Sequence, residues 1–315
     1  MTGKDAHGGG KHAYLVIAHG NFRVLELLLR MLDDPRNDIY LHVDRKAEDF
    51  DPGRTRAACR SAGLCILERR RDIGWGRSSL VALEMALFRE ARAGGPYEWY
   101  HLLSGSDLPL ASQDRIHSLL SGHPENLIRY RKTPMQGDYE RLSLYRHLFG
   151  NRNADRILEP YLLKLQRQLG VDRFRKYRRK GYEFHKGSEW VSLSDDAVGI
   201  LLGNRRLIRR MTRFTHCADE CYKQIILAKA GVPVYRNADG ETDHLRFIDW
   251  KRRDGWHPYV FRTGDYEQLT GSECLFARKF DGETDFGIAE AVFRHVSGQP
   301  KEKKAAGEEK CFSVY

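Results

Sequence analysis

The chain has 315 residues, 41 % hydrophobic and 30 % charged, which suits one large or two small soluble domains with a sizeable core. No run approaches the roughly 18–20 apolar residues that span a bilayer, and Met1–Gly10 has no apolar stretch behind it, so the expected place is the cytoplasm. The net charge of +10 suits a polyanion, a phosphorylated small molecule or an anionic membrane face, without choosing among them.

Residues 1–12 read as a disordered N-terminus. Ala13–Ala18 is a compact apolar run, long enough for a buried strand. His19-Gly20-Asn21 breaks it, with Asn21 placed to cap a helix whose apolar face carries Leu25, Leu28, Leu29 and Leu32. Ile39–Val43 is the next strand, which makes a βαβ unit with parallel strands. The alternation continues with a strand at Leu64–Leu67, a helix at Ser78–Ala91, and strands at Trp99–Leu103 and Leu127–Tyr130. Residues 133–183 are rich in Arg, Tyr and Leu and read as a helical insertion. Glu189–Leu193 returns to strand, and Asp195–Leu202 and Cys221–Ala230 are helical. Residues 297–315 read as a disordered charged tail. Strands alternating with helices give an α/β class with a mostly parallel central sheet, in a single domain over residues 13–296.

The six cysteines form no zinc pattern and read as thiols. Positive charge concentrates in Arg173–Lys180 and in Arg205, Arg206, Arg209, Arg210 and Arg213. No nucleic-acid-binding motif stands beside either cluster, so no nucleic-acid partner is expected. In open α/β sheets, ligands bind beyond the carboxyl ends of the strands. The polar residues there are His19, Asp44, the segment after Trp75-Gly76, and Ser104 to Pro109. Trp75, Trp190 and Trp250 offer faces on which sugar rings stack.

Several motifs follow one another in an order that resembles a known family. They are Tyr14–His19, His42–Lys46, Trp75-Gly76 with Ser78, Leu102–Pro109, Lys186–Trp190, Asp219-Glu220, Leu245–Trp250 and Leu275–Asp281. The chain resembles the core-2 branching β-1,6-N-acetylglucosaminyltransferases and the peptide O-xylosyltransferases, the "Branch" glycosyltransferases. The resemblance implies a GT-A type, Rossmann-like fold. It implies an inverting, metal-independent transfer of N-acetylglucosamine or xylose from a UDP-sugar, with no cofactor. At the strand end where most GT-A enzymes carry two metal-binding acids, His42-Val43-Asp44 carries one.

The same resemblance assigns roles. Glu220 matches the family's catalytic base, and a helix N-terminus there would favour its ionised form. Asp219 is placed to cap that helix. Lys279 matches the lysine that stabilises the departing diphosphate. The family's upstream arginine has no direct match: Trp256 falls there, with Arg252, Arg253, His257 and Arg262 nearby. His19 and Asp44 are expected at the uridine end, with Trp75 and Ser78 also on the donor. Asp107, Glu189 and Trp190 are expected on the acceptor, a glycan or a lipid-linked saccharide. The Arg173–Lys180 cluster would then touch anionic lipid at the inner membrane face. One rival is a basic nucleic-acid-binding protein, which the two clusters suggest but which leaves the strand-end polar residues and Asp219-Glu220 unexplained; the other is a glycoside hydrolase. It needs two flanking carboxylates, for which Glu220 and Asp107 are the available pair, and it leaves Lys279 without a purpose.

Overall fold

A computed structural model describes residues 10–298, apart from 132–134, 136, 149–151, 254 and 256. The expectations for residues 1–9 and 299–315 lie outside the described residues. A five-stranded sheet runs β3-β2-β1-β4-β6, built from β1 (His12–Ala18), β2 (Asn37–Val43), β3 (Gly63–Ile66), β4 (Trp99–Ser104) and β6 (Ser192–Ser194). Strands β1 to β4 are parallel, and β6 joins β4 antiparallel. The α/β expectation with a mostly parallel sheet therefore holds.

Strand β1 shows why its sequence is apolar throughout. Ala13, Leu15 and Ile17 enter the core on one face, and Tyr14, Val16 and Ala18 enter the core on the other. Helices Ser78–Gly94, Asp195–Gly203 and Tyr222–Lys229 cover the first face. Helices Phe22–Leu32 and Gly282–Val296 cover the second. Leu25, Leu28, Leu29 and Leu32 are all buried as their spacing requires, each contributing roughly 2 kcal/mol by leaving water. Order begins at least at Gly10, whose amide donates to Glu98, so residues 10–12 belong to the fold.

A second sheet runs β5-β8-β7, from β5 (Asp107–Pro109), β7 (Arg246–Ile248) and β8 (Phe276–Arg278). Its strands are three residues long, too short for a periodic pattern, and sequence reading takes them as loops. Leu127–Tyr130 is not a ladder strand. Leu127 and Tyr130 make isolated bridges to Ser192 and Gly187, and the adjoining Asn126 makes one to Val234. Within 133–183 the described residues form helices Glu140–Ser143, Arg152–Gln168 and Arg175–Arg178.

Helix Tyr222–Lys229 is fixed to helix Ser78–Gly94 by a buried ion pair. Lys223 Nζ lies 2.5 Å from Glu84 Oε2, both side chains have no exposure, and Tyr222 Oη donates to the same oxygen at 2.7 Å. Removing one partner strands a buried charge. Glu84→Gln is expected to lower the free energy of unfolding by about 3 kcal/mol or more. Denaturant titration checks this, and Glu84→Gln with Lys223→Met should recover most of the loss.

Candidate active site

The site is a circuit of contacts around the carboxyl ends of β1, β2 and β4. It starts at His19, directly after β1. Surrounding protein, and then Lys279 and Arg278, push the His19 pKa below its ordinary value. The next residues tie this loop to the Lys279 loop. Asn21 stands at the N-cap position as expected, but in the left-handed conformation, at φ 57°, and its side chain makes no cap bond. Instead Asn21 Nδ2 donates to Phe280 O at 2.9 Å, and Asn21 Oδ1 accepts from Gly282 N at 2.9 Å.

Asp44 follows β2 and is buried. Its carboxylate accepts from Lys46 N at 2.9 Å, Lys46 Nζ at 3.0 Å and Ile73 N at 3.1 Å. These donors hold its pKa below the usual carboxylate range despite burial. The Ile73 contact brings in the loop that carries Trp75. Trp75 is 64 % exposed, with its edge against His216 at 5.4 Å between ring centres. Gly76 O accepts from Cys217 N at 2.8 Å, which joins this loop to the segment carrying Glu220. An added Cβ on Gly76 would meet His216 at 2.6 Å, so close packing requires glycine there. Ser78 is half-buried and opens helix Ser78–Gly94.

Glu220 closes a short 3-10 turn, Ala218–Glu220, ahead of helix Tyr222–Lys229. Cys221 stands at the helix cap, so Asp219 caps nothing and is buried. Charge on Glu220 is instead met by side chains. Its Oε2 lies 2.5 Å from Arg141 Nη1 and 2.9 Å from Lys186 Nζ. Its Oε1 has no hydrogen bond among the described residues, and the side chain is 27 % exposed. The main chain adds a link, since Gly187 N donates to Glu220 O at 2.8 Å.

Lys186–Trp190 carries the circuit back to Lys279. Burial, and then the neighbouring Asp219 and Glu84, raise the Glu189 pKa well above the ordinary value. Trp190 is buried, and the Arg278 guanidinium lies over its ring at 4.5 Å. That face is covered by Arg278. Arg278 Nη1 also donates to Asp107 Oδ1 at 2.7 Å, while Asp107 Oδ2 accepts from Ser104 N at 2.9 Å. Asp107 is 2 % exposed, and burial raises its pKa against the pull of Arg278. The structure thus puts Asp107 beneath the site. Lys279 follows Arg278, half-buried, with no side-chain hydrogen bond or ion pair among the described residues. Burial, and then Arg278, push its pKa below the ordinary value.

Of the residues near the family's upstream arginine, Trp256 lies outside the described residues. Arg252 is committed to Asp249 and Asp265, each at 2.7 Å. His257 is exposed and is among the charges acting on His19. Trp250 is half exposed, in the loop that carries Asp249. No group of three or more His, Cys, Asp and Glu side chains is arranged to hold a metal among the described residues. Among these site residues, Arg141 has no signal in the sequence, while Asn21 is expected only as a helix cap and Arg278 lies inside the Leu275–Asp281 motif without a role. Lys186 was inside a recognised motif but had no role.

A protein-family model described as "Branch: Core-2/I-Branching enzyme" matches residues 12–273. The chain belongs to this family of glycosyltransferases. It is similar to beta-glucuronosyltransferase GlcAT14A of Arabidopsis thaliana, 24 % identical over 289 residues, covering 87 % of this chain and 62 % of that one. It is also similar to human N-acetyllactosaminide beta-1,6-N-acetylglucosaminyl-transferase, 22 % identical over 298 residues, covering 90 % of this chain and 71 % of that one. The chain thus spans less than two thirds of the plant relative's length. Among solved structures, apo mouse xyloside xylosyltransferase 1 matches with a TM-score of 0.35 and 10 % identity, covering 85 % of this chain and 96 % of that one.

Asp219 gives this region a pH dependence. Burial, followed by Glu220 and Glu84, raises its pKa from 3.8 to about 7. A carboxyl raised on folding stabilises below its unfolded pKa and loses that contribution as pH rises through the folded value. Asp219→Asn should therefore gain stability relative to the parent as pH rises from about 4 to 7, then level off. Denaturant midpoints across that range test it. A difference that does not change with pH contradicts the assignment.

Proposed function

We propose that this protein transfers a sugar from a UDP-sugar to an acceptor hydroxyl, with inversion and without a metal ion. The observation that carries the reading is the Glu220 carboxylate. One oxygen is pinned by two cations and the other is left without a partner. Such a group is held in one orientation and offers one oxygen to a proton. In the proposed step Glu220 takes the acceptor hydroxyl proton as that oxygen bonds the anomeric carbon. The bond from that carbon to the diphosphate oxygen breaks on the opposite side, and UDP leaves.

Negative charge then grows on the diphosphate, and Lys279 is the cation that meets it. Its ammonium is already partly stripped of water and has no internal acid to satisfy it, so the departing phosphate gains the full interaction. His19 and Asp44 flank the uridine end, and Trp75 offers a free face to a sugar. Asp107, buried on Arg278, and Trp190, beneath it, act on the acceptor side by fixing Arg278. Glu189, kept protonated, is suited to donate a hydrogen bond to an acceptor oxygen. The hydrolase reading is disfavoured because Asp107, the second carboxylate it was assigned, is paired with Arg278 and 2 % exposed.

The named relatives divide between glucuronic acid and N-acetylglucosamine, and the sequence motifs add xylose. Calorimetric titration of UDP and the three UDP-sugars, with EDTA present, tests the donor. Binding in EDTA is expected, and the tightest sugar identifies the donor. Lys279→Ala should weaken UDP binding about tenfold or more, the cost of one charge-assisted hydrogen bond. Absence of binding, before and after Mn²⁺ is restored, contradicts the reading.

A further inference from the structure

Helix Arg152–Gln168 shows solvent an apolar face. Ile157, Tyr161 and Leu165 recur every four residues and therefore lie on one side. They are 59 %, 73 % and 49 % exposed, and Leu169, one step further, is 69 % exposed. Leu158, at 43 %, widens the stripe. The opposite side of the helix is the anchored one, where Leu163 is buried and Asp155 pairs with Arg77 at 2.7 Å. Four large apolar side chains left in water on a single stripe mark a surface that meets something apolar.

Arg77 directly precedes Ser78, which lines a groove. The groove, about 790 Å³, lies between helices Ser78–Gly94 and Arg205–Thr212. Its apolar lining includes Val81, Met85, Leu202 and Ile208. Seven of its lining residues are arginines, among them Arg205, Arg206, Arg209 and Arg210. No aspartate or glutamate is among them. Helix and groove are joined through Arg173. Its guanidinium lies over Tyr145 at 4.7 Å and donates to Phe214 O at 2.9 Å, and Tyr145 N donates to Gln166 Oε1 at 2.7 Å. The exposed cations Arg175, Lys176, Arg179 and Lys180 continue from Arg173.

We propose that this stripe and groove form one docking surface for a bilayer of anionic phospholipid. The apolar stripe enters the headgroup boundary, and lipid phosphates sit on the groove arginines with their first methylenes on its apolar lining. Charge complementarity commits the groove to anions. The lining has no aromatic ring on which a sugar could stack, and it sets arginines beside the apolar Val81, Met85, Leu202 and Ile208, which suits a phosphate carrying methylenes. No helix among the described residues is long and apolar enough to cross a membrane, so the contact is a peripheral one. The proposal is independent of the sugar-transfer reading, because lipid binding needs no donor.

Co-sedimentation of the full chain with phosphatidylcholine vesicles, with and without phosphatidylglycerol, tests it. Binding is expected with phosphatidylglycerol and not without. Tyr161→Asp with Leu165→Asp, and separately Arg206→Glu with Arg209→Glu, should each lower partitioning about tenfold or more. Arg30→Glu with Arg115→Glu makes the same charge change at exposed positions elsewhere and should bind like the parent. All these positions are exposed, and unchanged thermal unfolding confirms that each variant folds. An equal loss in the Arg30 and Arg115 variant overturns the proposal in favour of bulk charge. A stripe variant that dissolves a dimer yet binds vesicles normally overturns it in favour of a second copy of the chain.

Discussion

Arg278 holds the two halves of the site together. Its guanidinium neutralises the buried Asp107 carboxylate at the end of the parallel sheet and covers the Trp190 ring on the Glu220 side. In the small sheet the same two residues are register partners, Asp107 opposite Arg278. A buried carboxylate is costly unless paired, so Asp107 demands a cation at this place, and strand β8 supplies it. Lys279 is the next residue, and its position follows from that pairing. The small sheet thus carries the Lys279 ammonium, which has no ion pair among the described residues, to the strand ends.

The second constraint is the separation of carboxyl groups by environment. Asp219, Glu189 and Glu220 are close in the structure, but they have different surroundings. Burial and mutual repulsion drive Asp219 and Glu189 toward the protonated form. Glu220 is given Arg141 and Lys186. Neighbouring acids in different surroundings have their pKa values pushed apart in this way. The raised values of Asp219 and Glu189 lessen the negative charge beside Glu220.

The parallel sheet was legible in the sequence because β1, β2 and β4 are buried on both faces and read as unbroken apolar runs. Helix Phe22–Leu32 was legible from its leucine spacing. The small sheet was not, since three-residue strands carry no period. Asn21 was read as a helix cap, the commonest role for that residue before an apolar helix, whereas its side chain spans to Phe280 and Gly282. Arg141 could not be found at all, because it meets Glu220 across 79 residues of sequence from within a segment read as an insertion. The motifs named the chemistry-bearing residues, but a motif does not say which of its residues pair across the fold, as Arg278 does with Asp107 and Lys186 with Glu220.

The account rests on Glu220 acting as a base in the chemical step alone. The most direct measurement compares Glu220→Gln with the parent for both UDP binding and sugar transfer, using the donor that binds most tightly. Transfer is expected to fall by two orders of magnitude or more, within the range of general-base effects, while UDP binding stays within about twofold. Transfer at the parent rate would contradict the account, and so would a loss of UDP binding as large as the loss of transfer.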